Sequence, residues 1–321
     1  MRSCDIQSSI PNKSELDGFT PRTVEIFRSF SVSTAIYCLK LPQDSFETQR
    51  MRVERTSTPQ DQLEPLLPQR ATDLGVEIRD NHEFVGLAQD AETVTVITKS
   101  KLDGSLDRIT AKYLIAADGH RSTIGESLAI PWKGHGPVNS VQSVLFRAPE
   151  LSPYLKRGAK QFKIDQPDLK AFMIAYENER LVLHLPNDRE WTDELIKRAI
   201  IQAIGPEKVT LEIIATSRWD MSAWISDEFS RGKVFLVGDA AHSLPPTRGG
   251  YGANTGIADG HYIAWKLAQV IQGTSDAQLM ASYAAERLPV AWLRHGQIFT
   301  RSDYREKERK KRKQGRKVNL K

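Results

Sequence analysis

Three features of the sequence predict an α/β fold interrupted by a β-rich insert. Two buried-type runs, residues 113–117 and 234–237, each close on an acid beside a glycine and lead towards helical sequence. Between them, residues 140–185 read as a succession of strands. After the second run a long helix presents Ile257, Ala264, Leu267, Ala268 and Ile271 on one side. Such α/β elements on both flanks of a strand-rich middle point to a discontinuous domain.

The first element is a short amphipathic helix over 21–30, with Thr20 as N-cap, Pro21 at its first position and Val24, Phe27 and Phe30 facing inward. A second helix is expected over 61–75 from the spacing of Leu63, Leu66, Leu67, Ala71 and Leu74. Pro65 and Pro68 require a late start or a kink, and Gly75 ends it. Alternation predicts strands at 76–79 and 93–98, the latter paired with 108–110 across Asp103-Gly104. The run 113–117 is a buried strand. Strands at 143–146, 160–164, 171–176 and 180–185 then build an antiparallel sheet, followed by a helix over 193–204 and a strand over 210–216. The strand 234–237 and a helix beginning at Asn254 complete the fold.

A 321-residue chain, 40% hydrophobic and 26% charged, suits two domains or one large α/β domain. No apolar stretch approaches the roughly 18–20 residues that span a bilayer, and Met1-Arg2-Ser3-Cys4-Asp5 lacks the apolar run of a signal peptide. The expectation is a cytoplasmic protein with no transmembrane segment. Cys4 and Cys38 have no metal-ligand spacing and read as reduced thiols more readily than as a disulfide. The net charge of +5 belongs to the C-terminus: residues 301–321 hold eleven Lys and Arg against three acids, a tail of +8 that leaves the other 300 residues at −3. No nucleic acid is therefore expected on the main body. The tail reads as a solvated end, with nuclear targeting or an anionic surface as the alternative.

Asp118-Gly119-His120-Arg121-Ser122 ends a strand where open α/β sheets bind ligands, although Asp-Gly is equally common in plain turns. The stretch 238–260 says more. Asp239 offers an acceptor carboxylate suited to a sugar or polyol hydroxyl. Pro245 and Pro246 fix φ and withhold two amide donors, which makes a stiff wall for a flat ring. Gly249, Gly250, Gly252 and Gly256 permit positive φ and close backbone approach. The N–H groups at the following helix start carry the positive end of its dipole and favour a ligand atom that becomes negative. A reduced flavin, with charge near N1 and O2, is such a ligand. The plainer reading is a glycine-rich loop before a well-capped helix. His242 reads as a local hydrogen-bonding residue rather than a base, and Trp219 and Trp224 as core.

Four stretches carry a resemblance. Residues 18–25 (Gly-Phe-Thr-Pro-Arg-Thr-Val-Glu), 59–65 (Pro-Gln-Asp-Gln-Leu-Glu-Pro), 118–122 and 238–259, the last followed by 264–268 (Ala-Trp-Lys-Leu-Ala) and 282–290 (Ser-Tyr-Ala-Ala-Glu-Arg-Leu-Pro-Val), resemble in order the FAD-dependent aromatic monooxygenases of the para-hydroxybenzoate hydroxylase type, in particular the phenol and polyketide hydroxylase branch. The resemblance implies a Rossmann-like FAD-binding domain over 1–36, 57–130 and 218–300. An antiparallel-sheet substrate domain would occupy 37–56 and 131–217, with 301–321 as a basic tail. By the same resemblance Gly238 and Asp239 form the second FAD motif, Asp239 holding the ribityl chain. Gly252, Ala253 and Asn254 present amides to the flavin pyrimidine, and Pro245 lines the place where oxygen meets the ring. Gln60 contacts the cofactor, and Asp118 with Arg121 links flavin and pyridine-nucleotide binding.

The implied activity is hydroxylation or oxidative rearrangement of a small phenolic or polyketide ring, with FAD as cofactor, NADPH or NADH as reductant and O2 as co-substrate; a homodimer is left open. The Gly-x-Gly-x-x-Gly turn that opens such enzymes and grips the pyrophosphate is not in this sequence, so the FAD-binding domain is expected to be incomplete, its first βαβ unit missing. That gap motivates an alternative: a flavoprotein-fold remnant acting as a non-redox protein.

Overall fold

The computed structural model describes Thr23, Ile26 and residues 63–300, apart from 152, 154–160, 177–178, 206–208 and 247–249. Of the expected first helix, Thr23 and Ile26 are helical and buried. Cys4, Cys38, Gln60, Gly249 and the basic tail lie outside the described residues. The chain divides into two compact units, one holding the described residues up to Gly136 and from Ala223 onwards, the other residues 137–222.

In the first unit, helix α1 (Leu66–Asp73) starts late, after Pro65, and Gly75 follows it at φ +82°. Proline tolerates a helix start but not its interior. Leu63 is buried, whereas Leu67 and Leu74 are 39% and 58% exposed, so the apolar spacing overstates how much of this helix faces inward. Strands β1 (His82–Gln89), β2 (Val94–Ser100) and β3 (Leu106–Ala111) form an antiparallel sheet in that order. The β2–β3 hairpin sets Val94 opposite Ala111 and turns through Asp103-Gly104 as expected. Residues 76–79 are not a strand. The strand is β1, whose alternation is broken by a bulge between Phe84 and Gly86 and so is hidden from a period-two reading.

The other sheet of this unit has β4 (Leu114–Ala116), β11 (Val234–Leu236) and β10 (Ser230–Arg231), with β11 between its neighbours. Strands β4 and β11 are parallel, Phe235 beside Ile115. Val234, Phe235, Leu236 and Ala116 enter one core with Ile263 and Leu267 of helix α4 (Tyr251–Ile271) and Tyr283 and Ala291 of helix α5 (Ala281–Phe299). Between β4 and β10 in sequence, the short helix α2 (Thr123–Ser127) is capped by Ser122, whose Oγ accepts from Gly125 N–H at 2.9 Å.

Helix α5 buries Tyr283, Arg287, Ala291, His295 and Ile298 along one stripe. His295 packs among His135, Trp292 and Phe299, its Nε2 lying 3.2 Å from His135 Nδ1. Burial, and then His135, pull the His295 pKa down to about 4. A histidine depressed in the folded state stays neutral there, while the unfolded chain takes up a proton below about pH 6.5. Its contribution to stability is therefore complete above pH 6.5 and is progressively lost as the pH falls towards 4. Thermal melts across that window are expected to show a steeper decline for the wild type than for His295→Phe.

Strands β5 (Trp132–Arg147) and β9 (Glu212–Ser226) run from one unit into the other. With β6 (Gln161–Asp165), β7 (Lys170–Ala175), β8 (Arg180–Pro186) and the two-residue β12 (His242–Ser243) they make a six-stranded sheet of order β12-β9-β5-β8-β7-β6. Both are longer than the sequence suggests. In β9 the alternation is one of exposure, with Glu212, Ile214, Thr216, Arg218 and Asp220 outward, and hydrophobicity alone does not report it. In the second unit, helix α3 (Asp193–Ile204) spans the expected residues and packs Ile196, Ala199 and Ile200 with Phe146, Met173, Leu181 and Leu183. Trp219, half-buried, donates from Nε1 to Ser143 Oγ at 2.7 Å, and that oxygen lies 2.8 Å from His184 Nδ1.

Candidate ligand site at the strand ends

The parallel ladder brings the two acid-glycine motifs together. Val237 N–H donates to Ala116 O at 3.0 Å, so Asp118-Gly119 and Gly238-Asp239 leave the sheet at the same edge, the carboxyl ends of the strands. Gly238 adopts φ +57° and opens a single 3-10 turn, Gly238–Ala240, in which Ala241 N–H returns to Gly238 O at 2.8 Å. A side chain at Gly238 would be strained at that φ.

Asp239 is open to solvent and accepts no hydrogen bond among the described residues. It is nevertheless surrounded by protein, and this desolvation pushes its carboxyl above the usual range against the pull of His242 and then His120. Asp118, on the neighbouring strand end, accepts through Oδ2 from Ile124 N–H at 3.0 Å and from Thr123 Oγ1 at 3.4 Å. It therefore helps Ser122 cap α2, while its Oδ1 is buried without a partner among the described residues. Arg121 is exposed in the turn between.

Helix α4 begins three residues earlier than expected. Gly250, at φ +58°, is its N-cap, and Tyr251, Gly252 and Ala253 form the first turn. Their N–H groups precede the first closed ring of the helix and have no intrahelical acceptor. Asn254 closes that ring: its N–H donates to Gly250 O at 3.1 Å and its Nδ2 to the same oxygen at 2.8 Å. Its Oδ1 accepts from Thr23 Oγ1 at 2.6 Å. Of the three amides expected to face a ligand, that of Asn254 thus donates within the helix, and the open dipole end is at residues 251–253. Gly252 and Ala253 are half-buried and Pro245 is buried. A Cβ on Gly252 would stand 3.6 Å from Leu244 O, which sets the 244–245 wall against this turn.

Beneath the turn lies a charge cluster that the sequence reading missed. Asp259 is fully buried on α4. Its Oδ2 accepts from His242 Nε2 at 2.7 Å and from Gly238 N–H at 3.2 Å, and its Oδ1 from Arg287 Nε at 2.6 Å. Arg287 also donates to Thr255 O at 3.3 Å and lies 5.0 Å from the Tyr262 ring centroid. Tyr283 Oη donates to Leu236 O at 2.8 Å, tying α5 to β11. A Cβ on Gly256 would fall 2.9 Å from Gly238 Cα, so α4 can lie this close to the turn only with glycine there. The available signal was an acid in phase with Gly256, Ile263 and Leu267 on an otherwise apolar stripe. His242 behaves as the local hydrogen-bonding residue expected.

Paired parallel strand ends, an unpaired carboxylate and an open helix N-terminus define a nucleotide-type ligand-binding domain. The family comparison narrows that class. Residues 12–295 match the FAD binding domain family, and the chain belongs to it. It is 34% identical over 258 residues to tetracenomycin A2 monooxygenase-dioxygenase of Streptomyces glaucescens, covering 74% of this chain and 46% of that protein. With aklavinone 12-hydroxylase of Streptomyces peucetius it shares 32% identity over 318 residues, covering 86% of this chain and 64% of the relative. Among solved structures, the flavin-dependent monooxygenase PieE in complex with FAD and substrate superposes with a TM-score of 0.79 at 25% identity, over 88% of this chain and 56% of PieE. The chain spans about half the length of the curated relatives it matches. Among the described residues no helix is long and apolar enough to cross a membrane.

Proposed function

We propose that this chain holds the flavin and the aromatic substrate of an FAD-dependent monooxygenase that hydroxylates, or oxidatively rearranges, a phenolic or polyketide ring with NAD(P)H and O2. The observation that carries the reading is the pairing of Asp239, accessible and unpaired, with the unclosed first turn of α4. An acceptor carboxylate suits ribityl hydroxyls, and a helix N-terminus suits the edge of a flavin that gains negative charge on reduction. The residues present therefore fit FAD. Relatives named as a monooxygenase-dioxygenase and an aklavinone hydroxylase support the substrate class.

Bound FAD, once reduced by NAD(P)H, supplies the electrons that activate O2 for transfer to an electron-rich ring. The chain's own residues bind and orient. Asp239 accepts from the ribityl chain, and Gly252 and Ala253 donate to the pyrimidine edge. Pro245, stiff and with no N–H of its own, forms a dry wall at the ring and limits water there. Gln60 contributes a further cofactor contact, and Asp118 with Arg121 serves pyridine-nucleotide binding.

Titration of the purified chain with FAD is expected to give a bound flavin with altered fluorescence. NAD(P)H oxidation is then expected to be stimulated by a polyhydroxylated aromatic, with O2 uptake and one oxygen gained by the product. A chain that stays colourless after incubation with FAD would overturn the reading.

A further inference from the structure

We propose that Asp259 is a positioning residue for Asp239: by holding the Gly238 amide and the His242 ring beneath the end of β11, it fixes the direction in which the Asp239 carboxylate is presented to the flavin. This rests on the functional reading above and deepens it. Three distances carry it, Asp259 to Gly238 N (3.2 Å), to His242 Nε2 (2.7 Å) and to Arg287 Nε (2.6 Å). All four groups are on one compact unit.

Asp239 itself has no hydrogen bond among the described residues to orient it. Its direction is inherited from the backbone of the Gly238–Ala240 turn. That turn rests on a glycine at φ +57°, a conformation glycine can also leave easily, so something must pin it. Asp259 supplies the pin from the side opposite the solvent. Its carboxylate accepts from the amide that precedes Asp239, and α4 closes to a Gly256–Gly238 approach with no room for a Cβ.

His242 is pinned by the same oxygen. A carboxylate only accepts, so His242 donates from Nε2, and its Nδ1 is buried with no partner among the described residues. Among the described residues, the hydrogen bond to Asp259 and the packing against Phe229 therefore hold this ring. Arg287 neutralises the charge that the pin requires and connects it to α5. Residues that orient a ligand-binding group from behind leave the site intact in composition when mutated but loosen its geometry, which is how such supporting shells act.

The test is a double-mutant cycle on the full chain, with FAD affinity read by equilibrium fluorescence titration. Asp259→Asn keeps the shape and removes the charge. It is expected to weaken FAD binding about tenfold in the wild-type background and less than about twofold in an Asp239→Asn background, because the group it orients is no longer a carboxylate. Equal losses in both backgrounds, or no loss in either, overturn the proposal, since a merely structural defect does not depend on Asp239. If Asp259→Asn does not fold, the charge-balanced pair Asp259→Asn with Arg287→Met takes its place in the same cycle. Amide hydrogen exchange at Gly238, measured without FAD, is expected to quicken about tenfold or more in the variant while amides of β7 are unchanged; unchanged exchange at Gly238 also overturns the proposal. A wild-type chain that takes up no FAD overturns the functional reading itself, and so is told apart from a failure of the pin alone.

Discussion

Arg287→Met is expected to lower the free energy of unfolding by about 3–5 kcal/mol, the cost of leaving one member of a buried ion pair without its partner. Asp259 is fully buried, and Arg287 is the cation that meets it, at 2.6 Å. Removing the guanidinium also releases the Thr255 carbonyl and the stack on Tyr262. Methionine is long enough to fill part of the space, so the loss reports charge and hydrogen bonding more than a cavity. Urea denaturation monitored by circular dichroism measures it. A change below about 1 kcal/mol, within the range of exposed ion pairs, would show that the cluster is not the desolvated pair described here.

Asp239→Ala is expected to do the reverse: to weaken FAD binding about tenfold to a hundredfold while leaving the fold's stability nearly unchanged. A hydrogen bond to a charged group contributes about 1.5–3 kcal/mol, and each tenfold in affinity is about 1.4 kcal/mol. Stability is spared because the carboxylate accepts no hydrogen bond from the described residues and carries a desolvation penalty that alanine removes. Isothermal titration together with thermal melts separates the two quantities. Loss of stability without loss of affinity would place Asp239 in the scaffold instead of the site. The contrast between Asp239 and Arg287 thus divides the motif into a presenting layer and a supporting layer.

Local features of this protein were legible wherever the backbone or a short pattern decides the outcome. The strand at 234–237, the acid-glycine ends of both parallel strands, the hairpin through Asp103-Gly104 and the helix over 193–204 each rest on periodicity or turn chemistry within a dozen residues. Elements that break their own pattern were missed or shortened. The bulge in β1 interrupts alternation, and β9 runs on through Arg218 and Asp220 because pairing with a neighbour, not hydrophobicity, sustains it. Helix α4 starts three residues before Asn254, which resembles a helix-opening residue, because it is Gly250 in the left-handed region that turns the chain.

What the sequence determined by itself is that an acid, a proline wall and a glycine-rich helix start follow a buried strand, and hence what kind of ligand chemistry this edge of the sheet can offer. It could not determine which acid is offered. Asp239 and Asp259 lie twenty residues apart and look equally available in one dimension; packing gives the first to solvent and the second to Gly238, His242 and Arg287. The reason is physical: a carboxylate's role is set by the donors brought within about 3 Å of it. For Asp259 those donors arrive from 17, 21 and 28 residues away, through the docking of α4 and α5 on β11.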